Sequence, residues 1–198
     1  MIATRRHDIV LSAPRQLLTI AEYAALGPTG RGYTELLEGR LLMSPSPSLS
    51  HMSASGELFR IIKPQLPAHL RVVQCLDIDL GYGPPDGPGY SRRADLIVFH
   101  ESAAERLAAE GGLIQADEVE VVIEIISPGR HRTTRLAKFT EYAEAGIPHY
   151  WMVDTSGAPS VQSCHLTETF RYQRNDETRG VFKTEVPFPV TIDLAELE

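Results

Sequence analysis

Residues 121–127 read VVIEIIS, a β-branched apolar run around one acid, the composition of a strand buried on both faces. Two further runs share that character, ADLIVF at 94–99 and HYWMVD at 149–154. RVVQCLDIDLGYG at 71–83 alternates in part and predicts another strand before a glycine- and proline-rich loop. YTELLEGRLLM at 33–43 predicts two strands joined by a tight turn at Glu38-Gly39. Helical spacing appears between these runs. In TIAEYAAL (19–26) Thr19 is an N-cap, Glu22 follows three residues on, and Gly27-Pro28 is the stop. The turn-rich SPSPSLS precedes a helix over about Ser50–Leu66, carried by Leu58, Phe59, Ile61, Ile62 and Leu66, with Pro64 in its last turn. ESAAERLAAEGG ends on glycines, and a helix over Thr134–Ala145 is stopped by Gly146 and Pro148. From Val161 onward, short β-like runs alternate with turns, as in a peripheral β-hairpin region. This order predicts an α/β (α+β) fold, a mixed sheet covered on both faces by helices.

Against that background two acids stand out. Glu124 shares its strand face with Val122 and Ile126, and Asp95 shares its face with Ile97 and Phe99. A buried carboxylate without a partner costs several kcal/mol or takes up a proton, so each requires a cation, hydrogen-bond donors or water. If the strands are neighbours, the two acids can converge and repel unless a cation or a shared proton intervenes. A hard divalent ion such as Mg²⁺ suits such a pair. The alternative places one or both acids at a strand end facing solvent. Lys138 lies about 200° round its helix from Leu136, off the stripe of Leu136, Phe139 and Ala143 and on the face of Tyr142. By itself a lysine there reads as a solvated surface residue. Its helix follows directly on the strand of Glu124.

Composition changes this picture little. At 198 residues one domain is expected, and 42% hydrophobic and 23% charged residues are ordinary for a globular chain. No apolar stretch approaches the roughly 18–20 residues that span a bilayer, and the N-terminus lacks the apolar core of a secretory signal, which makes a cytoplasmic location the expectation. Cys75 and Cys164 have neither disulfide nor zinc spacing. The net charge of −7 argues against a surface coated in nucleic acid but leaves room for a local cationic groove.

The stretches ELLEGRLLMSPSPSLSH, RADLIVF, VVIEIISP and LAKFTEYAEAGIPHYWMVD resemble, in order and spacing, the Uma-type restriction-endonuclease family, a branch of the PD-(D/E)XK nuclease superfamily. The similarity spans roughly residues 17–154. The resemblance implies a restriction-endonuclease-like core and metal-dependent phosphodiester cleavage in DNA. By the same resemblance Asp95 is a metal-binding aspartate, Glu124 the acid of the (D/E)XK element, and the Ile125 carbonyl a backbone ligand. Ile126 occupies the usual lysine position of that element, and Lys138 matches a lysine that has moved to the following helix. Glu35 matches an N-terminal glutamate joining the acidic cluster, and His51 a recurrent histidine of unassigned role. Ala94 stands in place of a proline, and Thr134 in place of an aspartate four residues before the lysine.

The chemistry expected is hydrolysis aided by Mg²⁺, with Mn²⁺ a possible substitute, through Glu35, Asp95, Glu124 and Lys138. Arg130, His131, Arg132 and Arg135, with Arg92 and Arg93 just before Asp95, are candidate phosphate contacts, which position a duplex without reading its bases. The plainer alternative pairs these arginines with acids such as Glu101, Glu105 and Glu141. A homodimer is expected from the family and from the need to reach two strands. The competing reading, which Thr134 and the acidic net charge favour, is a lapsed nuclease fold that binds nucleic acid or a protein partner. His69, His100, His149 and His165 read as surface or structural residues, and Trp151 as core or interface packing.

Overall fold

The computed structural model describes residues 17–27, 32–44, 46–126, 132–169 and 171–197. Helix α1 (Ile20–Ala25) starts at the expected cap: the Thr19 hydroxyl accepts from the Glu22 N–H and the Glu22 carboxylate accepts from the Thr19 N–H. β1 (Tyr33–Leu37) and β2 (Arg40–Ser44) form the expected hairpin. Its turn holds Glu38 and Gly39 at φ 50° and 72°, the left-handed pair that suits a two-residue connection. A Cβ at position 39 would also lie 2.7 Å from the Leu17 Cβ, so space and φ both call for glycine. Helix α2 (Leu49–Ile62), capped by the Ser48 hydroxyl, passes into a 3-10 turn over Lys63–Gln65, where Pro64 removes a helical donor.

The run expected as one strand over 71–83 is two, β3 (Leu70–Gln74) and β4 (Asp77–Asp79). They pair antiparallel with β6 (Leu96–His100) and β5 (Ser91–Arg93), and the register Gln74↔Leu96 carries on unbroken to Asp77↔Arg93. Between them the Cys75 N–H donates to the Asp95 carbonyl at 3.0 Å while Cys75 adopts φ 55°. These four strands are therefore one long hairpin that bends at 75–76 and 94–95 and crosses from one sheet to the next. The bend decides where Asp95 sits.

Helix α3 (Glu101–Glu110) and β7 (Ile114–Gln115) lead to β8 (Val119–Ile126); helix α4 (Arg132–Glu144) then connects β8 to a parallel β9 (His149–Asp154). β10 (Ser160–Thr167), β11 (Arg171–Arg174) and β12 (Thr178–Arg179) extend that sheet antiparallel, and β13 (Val181–Thr184) pairs with β14 (Val190–Asp193). The central sheet is mixed, in the order β11-β10-β9-β8-β6-β3, and the second sheet runs β2-β1-β5-β4-β7. One face of the central sheet packs Val98, Ile123 and Trp151 against Leu58 and Ile62 of α2 and against Phe182 and Ile192 from the C-terminal strands and Phe188 between them. Trp151 is thus core, with ring centroids 5.2 Å from Phe182 and 5.9 Å from Phe188. The other face packs Ile97, Phe99 and Val122 against Tyr142 and Ala143 of α4 and against Ile78 and Ile114 of the second sheet. The α+β architecture and the β-rich C-terminal elaboration match the sequence expectation. The stripe expected on α4 holds only in part: Ala143 is buried and Phe139 packs against the core, but Leu136 is 46% exposed, and Lys138 and Tyr142 are buried as well. Among the described residues no helix is long and apolar enough to cross a membrane.

Candidate active site

The acids converge where the long hairpin bends. Register on β6 and β8 pairs Leu96 with Ile123, and one step further sets Asp95 opposite Glu124. Asp95 lies just outside the ladder, and its side chain takes over the ladder's role: Oδ2 accepts the Ile125 N–H at 2.8 Å. Its Oδ1 lies 3.0 Å from Nε2 of His51, buried in the first turn of α2. In a strand, the N–H and C=O of one residue point to the same edge, so the Ile125 carbonyl also faces the Asp95 side. The alternative in which the acids face solvent does not hold, since Asp95 and Glu124 are 6% and 5% exposed.

Lys138 completes the cluster. Its ammonium donates to Glu124 Oε1 at 2.9 Å and to the Arg93 carbonyl at 2.6 Å, and it lies 3.0 Å from Glu35 Oε1. Three donors meet three acceptors, which is the full capacity of a lysine. The chain contains only three lysines; Lys63 and Lys183 are exposed, and Lys138 is 6% exposed. The surface reading of Lys138 fails because α4 lays this face over the acids of β8 and β1, and a buried ammonium is tolerated only where it is paired. Tyr142, one turn on, donates to the same Glu124 oxygen at 3.1 Å. Its share in the site was missed by the sequence reading, although the i+4 spacing from Lys138 is a usable signal.

Glu35 enters from β1. Its Oε2 accepts from Arg92 Nη1 at 2.9 Å, and its Oε1 accepts from the Arg93 N–H at 3.1 Å besides facing Lys138. Arg92 also grips Glu141 of α4 through Nε at 2.6 Å and Nη2 at 2.8 Å. Arg93, a candidate phosphate contact, makes a two-point pair with Asp77 at 2.8 and 2.6 Å and covers the Tyr33 ring at 4.8 Å. Arg135 is half-buried on α4. Arg130, His131 and the side chains of Arg132 and Thr134 lie outside the described residues.

Electrostatics follow from this pairing. Burial pushes the Glu35 carboxyl up, but Lys138 and Arg92 outweigh it and hold it below its ordinary value. Burial pushes Lys138 down, yet Glu124, Glu35 and Asp95 outweigh it and hold the ammonium above the usual lysine range. Burial, and then the Glu124 charge, push Tyr142 well above the usual tyrosine value, so it stays a neutral donor. With all four carboxylates ionised and His51 neutral, Glu35, Asp95, Glu124 and Glu141 against Arg92 and Lys138 give the described cluster a formal excess of two negative charges. Among the described residues no group of three His, Cys, Asp or Glu side chains is arranged to hold a metal by itself.

At the other end of the central sheet the fold gathers the four histidines that looked scattered. The His69 and His100 rings stack at 6.4 Å, and His165 pairs with His149 across β10 and β9. Glu120, at the irregularity between β6 and β8, lies 3.6 Å from His100 and 3.9 Å from His149.

Residues 20–190 match the family described as "Putative restriction endonuclease", Uma2. The chain belongs to the Uma2 family. The fold of this Uma2 chain is similar to a crystal structure from Anabaena variabilis, described as that of a putative nuclease belonging to DUF820, with a TM-score of 0.65. That likeness covers 91% of this chain and 97% of the other at 20% identity, and it shows a shared fold. No curated protein matches the chain.

Proposed function

We propose that this Uma2-family chain is a metal-dependent endonuclease that hydrolyses phosphodiester bonds in DNA. The observation that carries the reading is the buried cluster of Asp95, Glu124, Glu35 and Lys138, drawn from the bend between β5 and β6, from two strands and from a helix, with an excess of negative charge. Hard carboxylate oxygens and a two-charge excess fit Mg²⁺, with Mn²⁺ as a substitute; such an ion is held by one or two carboxylates and keeps several waters. Asp95 and Glu124 would hold it, with the Ile125 carbonyl on the same edge. When bound, the ion supplies Lewis acidity toward the phosphate and lowers the pKa of water. Glu35 fits less well as a direct ligand, because its two oxygens face two permanent cations, Arg92 and Lys138.

Lys138, whose ammonium the surrounding carboxylates hold above the usual lysine range, is suited to act as a cation. With its three N–H groups committed to Glu124, Glu35 and the Arg93 carbonyl, its ammonium would act by charge, stabilising the negative charge that develops as the water oxygen bonds to phosphorus and the P–O ester bond breaks, while the water's proton leaves to solvent and the leaving oxygen takes one up from it. Tyr142 and Lys138 together fix Glu124, and the Ile125 N–H and His51 fix Asp95. Arg135, with Arg130 and Arg132, would meet phosphates on the approaching strand. Two copies, each addressing one strand, is the assembly this reading implies; light scattering on the purified chain tests it. The decisive experiment is plasmid cleavage with Mg²⁺ or Mn²⁺ by the wild type and by Asp95→Ala and Glu124→Gln. Cleavage is expected to require metal and to fall at least about 10²-fold in either variant. Metal-dependent cleavage unchanged by both substitutions would remove the basis of the reading.

A further inference from the structure

Arg92 sits beside Arg93 in the sequence and reads, like it, as a phosphate contact. The fold turns it inward: it is 4% exposed, and among the described residues its guanidinium bonds to carboxylates, those of Glu35 and Glu141. Glu141, one of those carboxylates, lies three residues after Lys138 on α4, and Glu35, the other, faces the Lys138 ammonium. The connections close a ring from α4 through Glu141, Arg92 and Glu35 to Lys138 and back to α4.

A lysine side chain has four rotatable bonds and a compact charge, so its position is set by its acceptors rather than by its own stiffness. Of the three acceptors here, the Arg93 carbonyl belongs to the strand of Arg92, and Glu124 is rigid in the central sheet. Glu124 is held by Tyr142 as well, whereas Glu35 takes its first oxygen's bond from the Arg93 N–H and has its second oxygen fixed by Arg92. The planar guanidinium can satisfy two carboxylates from different elements at once, which an ammonium cannot do with the same geometry. It ties β5 to β1 and to the helix that carries Lys138.

We infer that Arg92 is a positioning residue for Lys138, acting through Glu35 and Glu141 and touching neither DNA nor metal. The kinetic part of this inference rests on the cleavage reading above; the chemical part does not. Acetic anhydride labelling of the folded chain, read by mass spectrometry, reports on the three lysines separately. In wild type the exposed Lys63 and Lys183 are expected to acetylate and the buried Lys138 to stay protected. Arg92→Met and Glu141→Gln are expected to raise Lys138 labelling while leaving Lys63 and Lys183 unchanged. Arg92→Lys is expected to restore protection in part. Protection equal to wild type in both Arg92→Met and Glu141→Gln overturns the inference, whatever the activity.

Cleavage kinetics supply the second measurement. Arg92→Met should lower kcat by about 10²-fold, as a displacement of about 1 Å does in a positioned site. KM should change less than about threefold, because uniform binding is untouched. A raised KM with unchanged kcat would make Arg92 a phosphate contact instead, and unchanged kcat and KM would leave it structural. Lys138→Ala and Asp95→Ala run alongside: if both cleave as wild type does, the cleavage reading falls, and if they are inactive while Arg92→Met is not, this inference alone falls. Glu141→Gln, at a partly exposed position, keeps the test open should Arg92→Met unfold.

Discussion

Replacing Lys138 by methionine keeps most of the side-chain volume and removes one positive charge from a point where three acceptors meet at 2.6, 2.9 and 3.0 Å. Glu35 and Glu124 then share a buried site without the cation between them. Breaking a buried ion pair from one side costs about 3–5 kcal/mol. The lower end applies, because Arg92 still holds Glu35 and Tyr142 still holds Glu124. For a chain of this length each kcal/mol moves Tm by about 2–4 °C, so a fall of about 6–12 °C is expected near neutral pH. The sign of the pH dependence tests the cause. In wild type Glu35 is held below its ordinary 4.5, so its contribution is present above that value and is lost as pH falls through its lowered pKa. Lys138 is held above its ordinary 10.5, so its contribution is present below that value and is lost only as pH rises through the raised one. In the variant the two carboxylates are buried without the ammonium, their pKa values rise, and the folded state binds protons that the unfolded chain releases. The deficit therefore grows from about pH 5 to about pH 8 and shrinks again as the acids protonate. Thermal melts of both proteins at three pH values in that range measure it. A deficit that stays flat with pH would refute the electrostatic account and leave only lost packing.

Three further outcomes can be checked directly. Mg²⁺ at about a hundredfold its dissociation constant should stabilise the wild type by about 2.7 kcal/mol in thermal melts, reversibly with a chelator, and Asp95→Ala should abolish the shift; an equal shift in that variant would place the ion elsewhere. Tyr142→Phe should cost about 1–2 kcal/mol in urea unfolding, because Glu124 loses one donor and keeps Lys138; a neutral result would mean the hydroxyl does not hold Glu124. Phe188→Ala should cost about 3–5 kcal/mol with one cooperative transition, since its ring lies against Trp151 in the core; two separate transitions would show the C-terminal strands folding apart from the central sheet.

The parts of the fold that could be read along the chain are those whose causes lie within a few residues. The Thr19 capping box, the Glu38-Gly39 turn and the β-branched run around Glu124 each depend on neighbours, and each forms as expected. β5 could not be read, because Ser91–Arg93 carries no apolar alternation; partners on both sides make it a strand. The strand over 71–83 looked continuous because the pattern persists through Cys75, while the break comes from a backbone turn that the register survives.

The same division runs through the site. That Asp95 and Glu124 needed partners follows from sequence alone, since a carboxylate among apolar β-branched residues cannot stay ionised without one. Which partners they found is decided by the tertiary structure. Lys138 looks solvated on its helix and becomes buried only when α4 crosses β8, and Arg92 looks like a phosphate contact until Glu35 and Glu141 close on it from two other elements. Burial can be inferred from local composition because it depends on the average of nearby side chains. The fate of a single charge depends on the few atoms within about 4 Å of it, and those are supplied by segments far apart along the chain.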